Sequence, residues 1–306
     1  MILTVTLNTA LDLTYHVERL VRHSSHRVTT VTERPGGKGL NVARVLGALG
    51  HDVTVTGFVG GATGESVRGG LSGVRDELFP VAGATRRTVA VVDEASGDTT
   101  QFNEPGPLIG PAEWSAFLAS YEQLLPSASA VALCGSLPPG VPVGAYAQLI
   151  RAARGAGVPV LLDTSGEPLR RGIAARPDIV KPNADELGEL TGSWEPLPAA
   201  RAARRRGAHA VVASLGPSGL LAATPEGTWQ ATPPARVPGN PTGAGDSAVA
   251  ALLAGLVAGE PWPQRLASAV ALSAATVLAP AAGEFDASAY EDFLAEVRVE
   301  HHTDAA

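Results

Sequence analysis

Ala130-Val131-Ala132-Leu133, a helical stretch over 143–156, and then Val158-Pro159-Val160-Leu161-Leu162-Asp163 read as strand, helix and strand, and the same alternation runs through nearly the whole chain. Further β-rich runs fall at 2–7, 53–59, 179–181, 210–214 and 219–223. Helical patterns separate them at 39–50, 64–77, 111–125, 184–191, 198–206, 245–258 and 262–279. Alternation of this kind predicts an α/β architecture, a mainly parallel sheet covered by helices on both faces. The chain closes on a predicted helix at 287–299 and a polar, frayed tail over 300–306.

Two regions interrupt the pattern. The runs 13–17 with 27–32, and 86–92 with 99–103, are strand-like without an intervening helix, so they are expected to pair outside the main sheet. Gly97, within Glu94-Ala95-Ser96-Gly97-Asp98, supplies a hairpin turn for the second pair. A small β-layer inserted at about 13–32 and 86–103 suits a lid over the carboxyl edge of the sheet, where open α/β sheets bind ligands. No internal repeat or low-complexity linker divides the sequence, which reads as one α/β domain over residues 1–306.

At 306 residues and 45% hydrophobic, the chain has ample apolar material for a large core. Its formal charge of −7 repels polyanions, and the one basic run, Arg204-Arg205-Arg206, reads as a solvated helix end. Nucleic acid is therefore not an expected partner. The single cysteine, Cys134, excludes an intrachain disulfide and a Cys-based zinc site, and fits a reducing cytoplasm. Residues 1–7 alternate apolar side chains with threonine, as a first strand does and a signal peptide does not. The apolar run 248–258 meets Glu260 and Pro261 well short of the ~20 residues of a membrane span.

Among 23 basic residues only Lys38 and Lys181 are lysine, and both lie in Gly- or Pro-flanked motifs. A compact ammonium suits a tight site touching a single phosphate oxygen, which a planar guanidinium would not fit. The strongest motif is Pro241-Thr242-Gly243-Ala244-Gly245-Asp246-Ser247, followed at once by the apolar helix. Its glycines let backbone N–H groups converge at the positive end of a helix, a candidate anion pocket. Asp246 is either a plain helix cap or a base for phosphoryl transfer, aimed at an incoming nucleophile.

Pro35-Gly36-Gly37-Lys38-Gly39-Leu40-Asn41 opens a second helix with apolar residues at helical spacing. It is not a Walker A loop, because Thr32 and Gly39 stand where the first glycine and the Ser/Thr belong. Nor is it the dinucleotide fingerprint, whose third glycine would be Val42. In Lys181-Pro182-Asn183-Ala184-Asp185-Glu186, Asn183 and Glu186 either form a capping box or organise a hydrated Mg²⁺ beside nucleotide phosphates. The Gly-x-Ser-x-Gly elbow and the His-Glu-x-x-His helix are absent, and none of the seven histidines lies in the glycine motifs.

These motifs, with Asn8-Thr9-Ala10-Leu11-Asp12 and Gly135-Ser136-Leu137-Pro138-Pro139-Gly140, together resemble a PfkB (ribokinase-like) sugar kinase from residue 1 to about 283. The Gly-Gly-Lys-Gly-Leu-Asn form is most similar to the 1-phosphofructokinase and tagatose-6-phosphate kinase branch, where the lysine points to a substrate already carrying phosphate. The resemblance implies a three-layer αβα fold with a β-lid through which the chain would form a homodimer. It implies that Asp12 and Asn41 hold sugar hydroxyls, while Gly37, Lys38, Arg86 and Ser136 surround the substrate phosphate. Asp246 would be the base, with Gly243, Ala244 and Gly245 as the anion hole. Lys181, Asn183, Glu186, Ser214, Gly216 and Thr242 would hold ATP, with Mg²⁺ reached by Asn183 and Glu186 through water.

Three departures bear on the choice of sugar: Thr9 replaces a usual proline, Thr88 a usual asparagine, and Asn240-Pro241 precedes the glycine motif. The expected reaction is ATP-dependent conversion of fructose 1-phosphate to fructose 1,6-bisphosphate, with tagatose 6-phosphate and fructose 6-phosphate as alternative acceptors. A kinase for an unphosphorylated sugar or nucleoside, and a non-catalytic sugar-phosphate sensor, are the more distant rivals.

Overall fold

The structure is a computed structural model and describes residues 1–302. The N-terminal half contains β1 (Ile2–Thr6), β2 (Ala10–Val17), β3 (Thr30–Gly36), α1 (Lys38–Ala48), β4 (Val53–Val59) and α2 (Gly61–Gly69). There follow β5 (Arg75–Asp76), β6 (Phe79–Pro80), β7 (Arg86–Asp93), β8 (Thr99–Asn103), α3 (Pro111–Leu124) and β9 (Ala130–Cys134). The chain continues through α4 (Ala145–Gly155), β10 (Val160–Asp163), α5 (Gly166–Ala174), β11 (Ile179–Val180), α6 (Ala184–Thr191), α7 (Pro196–Arg205) and β12 (Ala210–Ser214). It ends with β13 (Leu220–Ala223), β14 (Thr228–Thr232), α8 (Ala244–Ala258), α9 (Trp262–Val277), α10 (Ala287–Glu296) and β15 (Arg298–His302).

The main sheet runs β15-β14-β13-β12-β11-β10-β9-β1-β4-β5, with β6 also on β4. Strands β4, β1, β9, β10, β11 and β12 are parallel, and β13 to β15 extend the sheet antiparallel. Because successive side chains of a strand point to opposite faces, the central strands can be apolar throughout and still serve two cores. Leu3, Val5, Leu133 and Leu162 pack under α3 to α7 with Phe117, Tyr121 and Tyr146. Ile2, Ala132 and Leu161 face α1, α8 and α9 with Val45, Leu252 and Leu272. The helices thus lie on both faces of a mostly parallel sheet, the three-layer arrangement that the alternation predicts.

The two interrupting regions form a separate sheet, ordered β3-β2-β7-β8. Both expected strand pairs are present, and β2 joins β7 in parallel. Gly97 makes its turn at φ +77, and Asp93 Oδ1 accepts the amide of Ala95 at 2.9 Å. The register sorts the faces: Leu13, Tyr15, Val31, Val89, Val91 and Phe102 share one, and Asp12, Arg34 and Thr88 the other.

Several boundaries differ from those expected. The helix expected over 64–77 ends at Gly69, and Gly73 turns the chain at φ +68 into two short edge strands. Helix α5 and strand β14 were not anticipated. The helix expected over 287–299 stops at Glu296, and residues 298–302 become a strand on β14 instead of a frayed tail. Residues 303–306 of the expected tail lie outside the described residues. Arg204, expected to be solvated, donates to the carbonyls of His209 at 3.0 Å and Thr224 at 2.6 Å.

Candidate active site

The carboxyl ends of β1, β9, β10, β11 and β12 converge on one edge of the sheet, and the glycine motifs open helices there. Gly37 precedes α1 at φ +106, and an added Cβ would lie 2.7 Å from Thr6 Cγ2, so only glycine lets the loop close on β1. Lys38 is therefore the first residue of α1, a turn with no acidic residue to offset the positive end of the helix. The compensating charge comes from β10. Lys38 Nζ lies 3.3 Å from both carboxylate oxygens of Asp163. Burial pulls the Lys38 ammonium down, but the carboxylates of Asp163, Asp246 and Glu186 outweigh it and hold the group above its ordinary value.

Asp246 is the third residue of α8, and Gly243, at φ +89, occupies the cap position with no side-chain cap bond. The capping alternative for Asp246 is thereby removed. The side chain is buried, and its Oδ2 accepts the Asn41 amide at 2.8 Å. Arg44 fixes that amide, with Nη1 reaching Asn41 Oδ1 at 3.4 Å and Nη2 on the Pro35 carbonyl at 2.7 Å. Burial pushes the Asp246 carboxyl up to about 6, against the opposing pull of Lys38; Asp163 adds to the rise. The amide of Ala244 is donated to the Pro241 carbonyl at 3.1 Å. Those of Gly245 and Asp246 find no acceptor among the described residues, as at any helix start, which makes them a candidate anion-binding pair.

On the side of the small sheet, Asp12 packs against Gly36, where an added Cβ would stand 2.1 Å from its carboxylate. Burial raises the Asp12 carboxyl, opposed by a hydrogen bond from Thr88 and by the guanidinium groups of Arg86 and Arg44. Arg86 donates to the carbonyls of Asn8 at 3.2 Å and Glu104 at 3.0 Å. Asn8 Nδ2 in turn donates to Ser136 Oγ at 3.1 Å. Asn8, Arg86 and Ser136 share the wall of an open recess of about 550 Å³.

A larger cleft of about 950 Å³ lies beyond Asp246, lined by Asn183, Ser214, Gly216, Ala244 and Gly245 at its polar end. Val237, Val270, Ala274 and Val277 give its far end an apolar lining. Asn183 and Glu186 form the full capping box: Asn183 Oδ1 accepts from Glu186 N, and Glu186 Oε2 from Asn183 N, each at 2.8 Å. Thr242 is exposed and donates its amide to Asn240 Oδ1 at 3.0 Å. Lys181 does not itself line this cleft; its Nζ lies behind Gly245, which does, and 3.6 Å from Asp163 Oδ1. Among the described residues no three His, Cys, Asp or Glu side chains are grouped as a metal site. A recess of about 860 Å³ between Arg201, Arg204, Glu226 and His301 opens at the opposite ends of the strands and shares no residue with this edge.

Lys38, Asn41, Lys181 and Asp246 thus come together around Asp163, which the sequence reading did not single out. Its signal was available, a carboxylate closing a parallel strand ahead of a Thr-Ser-Gly turn. Arg44 was equally unassigned, although it stands one helical turn after Asn41 of the glycine motif. Asp12, Arg86 and Ser136 gather on the side of the small sheet, and Asn183, Ser214 and Gly216 on the cleft side. Asp246 stands between.

The same arrangement of elements occurs in known proteins. Phosphofructokinase-2 from Escherichia coli, solved with fructose-6-phosphate, superposes with a TM-score of 0.87 at 31% identity, covering 96% of this chain and 98% of its own. A "Possible 1-phosphofructokinase" from Thermotoga maritima gives 0.86 at 26% identity, over 99% and 100% of the two chains. Ribokinase from Arabidopsis thaliana, at 22% identity and a TM-score of 0.71 over 96% and 98%, shares the fold. Residues 4–288 match the pfkB family carbohydrate kinase description, and with the ribokinase-like sheet, the small second sheet and the glycine motifs at one edge in view, the chain belongs to that family.

Proposed function

We propose that the chain transfers the γ-phosphoryl group of ATP to the free primary hydroxyl of fructose 1-phosphate, giving fructose 1,6-bisphosphate. The observation that carries this reading is the position of Asp246. It is a buried carboxylate in the first turn of α8, next to unpaired backbone amides, with Lys38 on one side and a nucleotide-sized cleft on the other. Asp246 accepts the proton of the attacking hydroxyl, and Asn41 holds its carboxylate in place. The amides of Gly245 and Asp246 and the positive end of α8 stabilise charge on the migrating group, so positioning and electrostatics supply most of the acceleration. Asp12 takes sugar hydroxyls, while Lys38, Arg86 and Ser136 take the acceptor's phosphate.

Mg²⁺ keeps most of its waters and binds few protein carboxylates beside nucleotide phosphates. The donors present fit an ion of that kind. Glu186 spends only Oε2 on the capping box, which leaves Oε1 for a metal-bound water, and Asp185 lies on the wall of the cleft. The ion, when bound, neutralises phosphate charge. A homodimer through the small sheet completes the proposal, because Val31 and Phe102 on its apolar face are 54% and 60% exposed.

The lysine in the Gly-Gly-Lys-Gly-Leu-Asn loop favours a phosphorylated acceptor, and the similar proteins from E. coli and T. maritima are phosphofructokinases by name. ADP release measured on fructose 1-phosphate, tagatose 6-phosphate, fructose 6-phosphate and free fructose tests the choice. Fructose 1-phosphate is expected to give the highest kcat/KM. Equal turnover of free fructose would overturn the role of Lys38, and ligand-induced stabilisation without ADP would mark a sensor.

A further inference from the structure

The chain has only two lysines, on different elements, and both end on the same buried carboxylate. Lys38 begins α1 and Lys181 follows β11, while Asp163 closes β10 between them, 1% exposed. Neither ammonium stays there for its own sake. Lys38 stands at the positive end of a helix, and Lys181 is 4% exposed, with Nζ 3.5 Å from where a Cβ on Gly245 would be. Two ammonium groups brought this close repel one another unless an anion lies between them, and Asp163 is the carboxylate in that place.

The side chains diverge from this shared point. Lys38 lies beside Gly135, next to Ser136 on the acceptor side: a Cβ added at Gly135 would stand 3.9 Å from Lys38 Cβ. Lys181 lies under the first turn of α8, its Nζ next to Gly245, which lines the nucleotide cleft. We propose that Asp163 is a positioning residue that holds Lys38 toward the acceptor phosphate and Lys181 toward the nucleotide phosphates, so that one carboxylate sets the spacing of the two substrates. The proposal rests on the kinase reading above for the identity of the substrates, and on geometry alone for the coupling of the lysines.

Protein grown with ¹³Cε,¹⁵Nζ-lysine tests the coupling directly, because its spectrum carries two lysine side-chain signals. In Asp163→Asn, which preserves volume, both signals should move. In Lys38→Gln, where Asp163 is intact and the replaced side chain is 42% exposed, the remaining Lys181 signal should move as well. A Lys181 signal unchanged by Lys38→Gln would overturn the proposal even if Asp163→Asn failed to fold. Kinetically, Asp163→Asn should raise KM for both the sugar phosphate and ATP and lower kcat/KM by about 10²-fold, whereas Lys38→Gln should act on the sugar-phosphate KM and Lys181→Gln on that of ATP. Recovery of the Asp163→Asn rate at high Mg²⁺ would instead identify a metal-water ligand and overturn the positioning role. Absence of turnover by the unaltered chain would refute the kinase reading and leave the lysine signals to decide this one.

Discussion

As the proposed base, Asp246 must be ionised to accept a proton and yet is buried in a site that disfavours the charge. Its carboxyl is raised to about 6, so kcat/KM should fall tenfold per pH unit below about pH 6, a limb that a pH profile of the free enzyme would locate. Asp246→Asn should lose about 10²-fold or more in kcat. The same raised value has a sign for stability. A carboxyl higher in the folded than in the unfolded chain contributes stability below the unfolded value of 3.8 and loses it as pH rises through about 6, a difference on the order of 3 kcal/mol. Asp246→Asn should therefore melt at a higher temperature than the parent at pH 8, with the gap closing toward pH 4. Lys38→Ala should raise KM for the phosphorylated sugar about 10-fold or more, the scale of a lost charge-assisted hydrogen bond. An unchanged sugar KM would place the lysine outside the acceptor site.

At the level of elements, the proposed chemistry rests on helix starts. In α8 the chain turns through Gly243 at φ +89, and an added Cβ would come within 2.8 Å of Ala282 Cα, in the loop that Arg44 Nη1 also holds through the Ala282 carbonyl at 3.0 Å. Gly243→Ala should cost about 1–2 kcal/mol from the left-handed conformation alone and lower kcat more than either KM, because the displaced amides face the migrating group. In α6 the capping box and the proposed nucleotide role of Asn183 are separable. Asn183→Ala should lower stability by about 1 kcal/mol, while Asn183→Asp keeps the cap and raises KM for ATP by adding charge beside its phosphates. Equal KM values for both variants would assign Asn183 to capping only.

The whole molecule places an apolar sheet face at the surface on the side of the acceptor site. If two chains meet there, Phe102→Glu and Val31→Glu should convert a dimer to a monomer in sedimentation at micromolar concentration. Asp12 and Arg86 lie on strands of that sheet, so sugar KM should rise with the loss of the partner. A parent chain that sediments as a monomer would remove the proposal.

Strands β1, β4 and β12, and the helices after the glycine motifs, were legible because apolar runs, glycine turns and helical spacing are local properties that burial in this fold reinforces. The capping box of α6 was legible for the same reason, since its two bonds span three residues. Helix α5 was missed although Leu169 and Ile173 supply an i, i+4 buried pair. Its Arg170 and Arg171 bonds to Glu167 are local too, so the signal was present and unread. Strand β15 is a different case. Arg298-Val299-Glu300-His301-His302 is polar, and it becomes a strand because β14 offers an unpaired edge.

The amino-acid order by itself determined the α/β layering and the two glycine-opened helices, because periodicity and turn chemistry act over a few residues, and its motifs carried the resemblance to a sugar-kinase family. Only the tertiary structure decided that Lys38 and Lys181, 143 positions apart in the chain, share Asp163, and that Asp246 answers to Asn41 instead of capping its own helix. Those relations depend on the order in which parallel strands lie side by side, and a charge cluster closed between the start of α1 and the ends of β10 and β11 leaves no trace in the spacing of residues along any one of them.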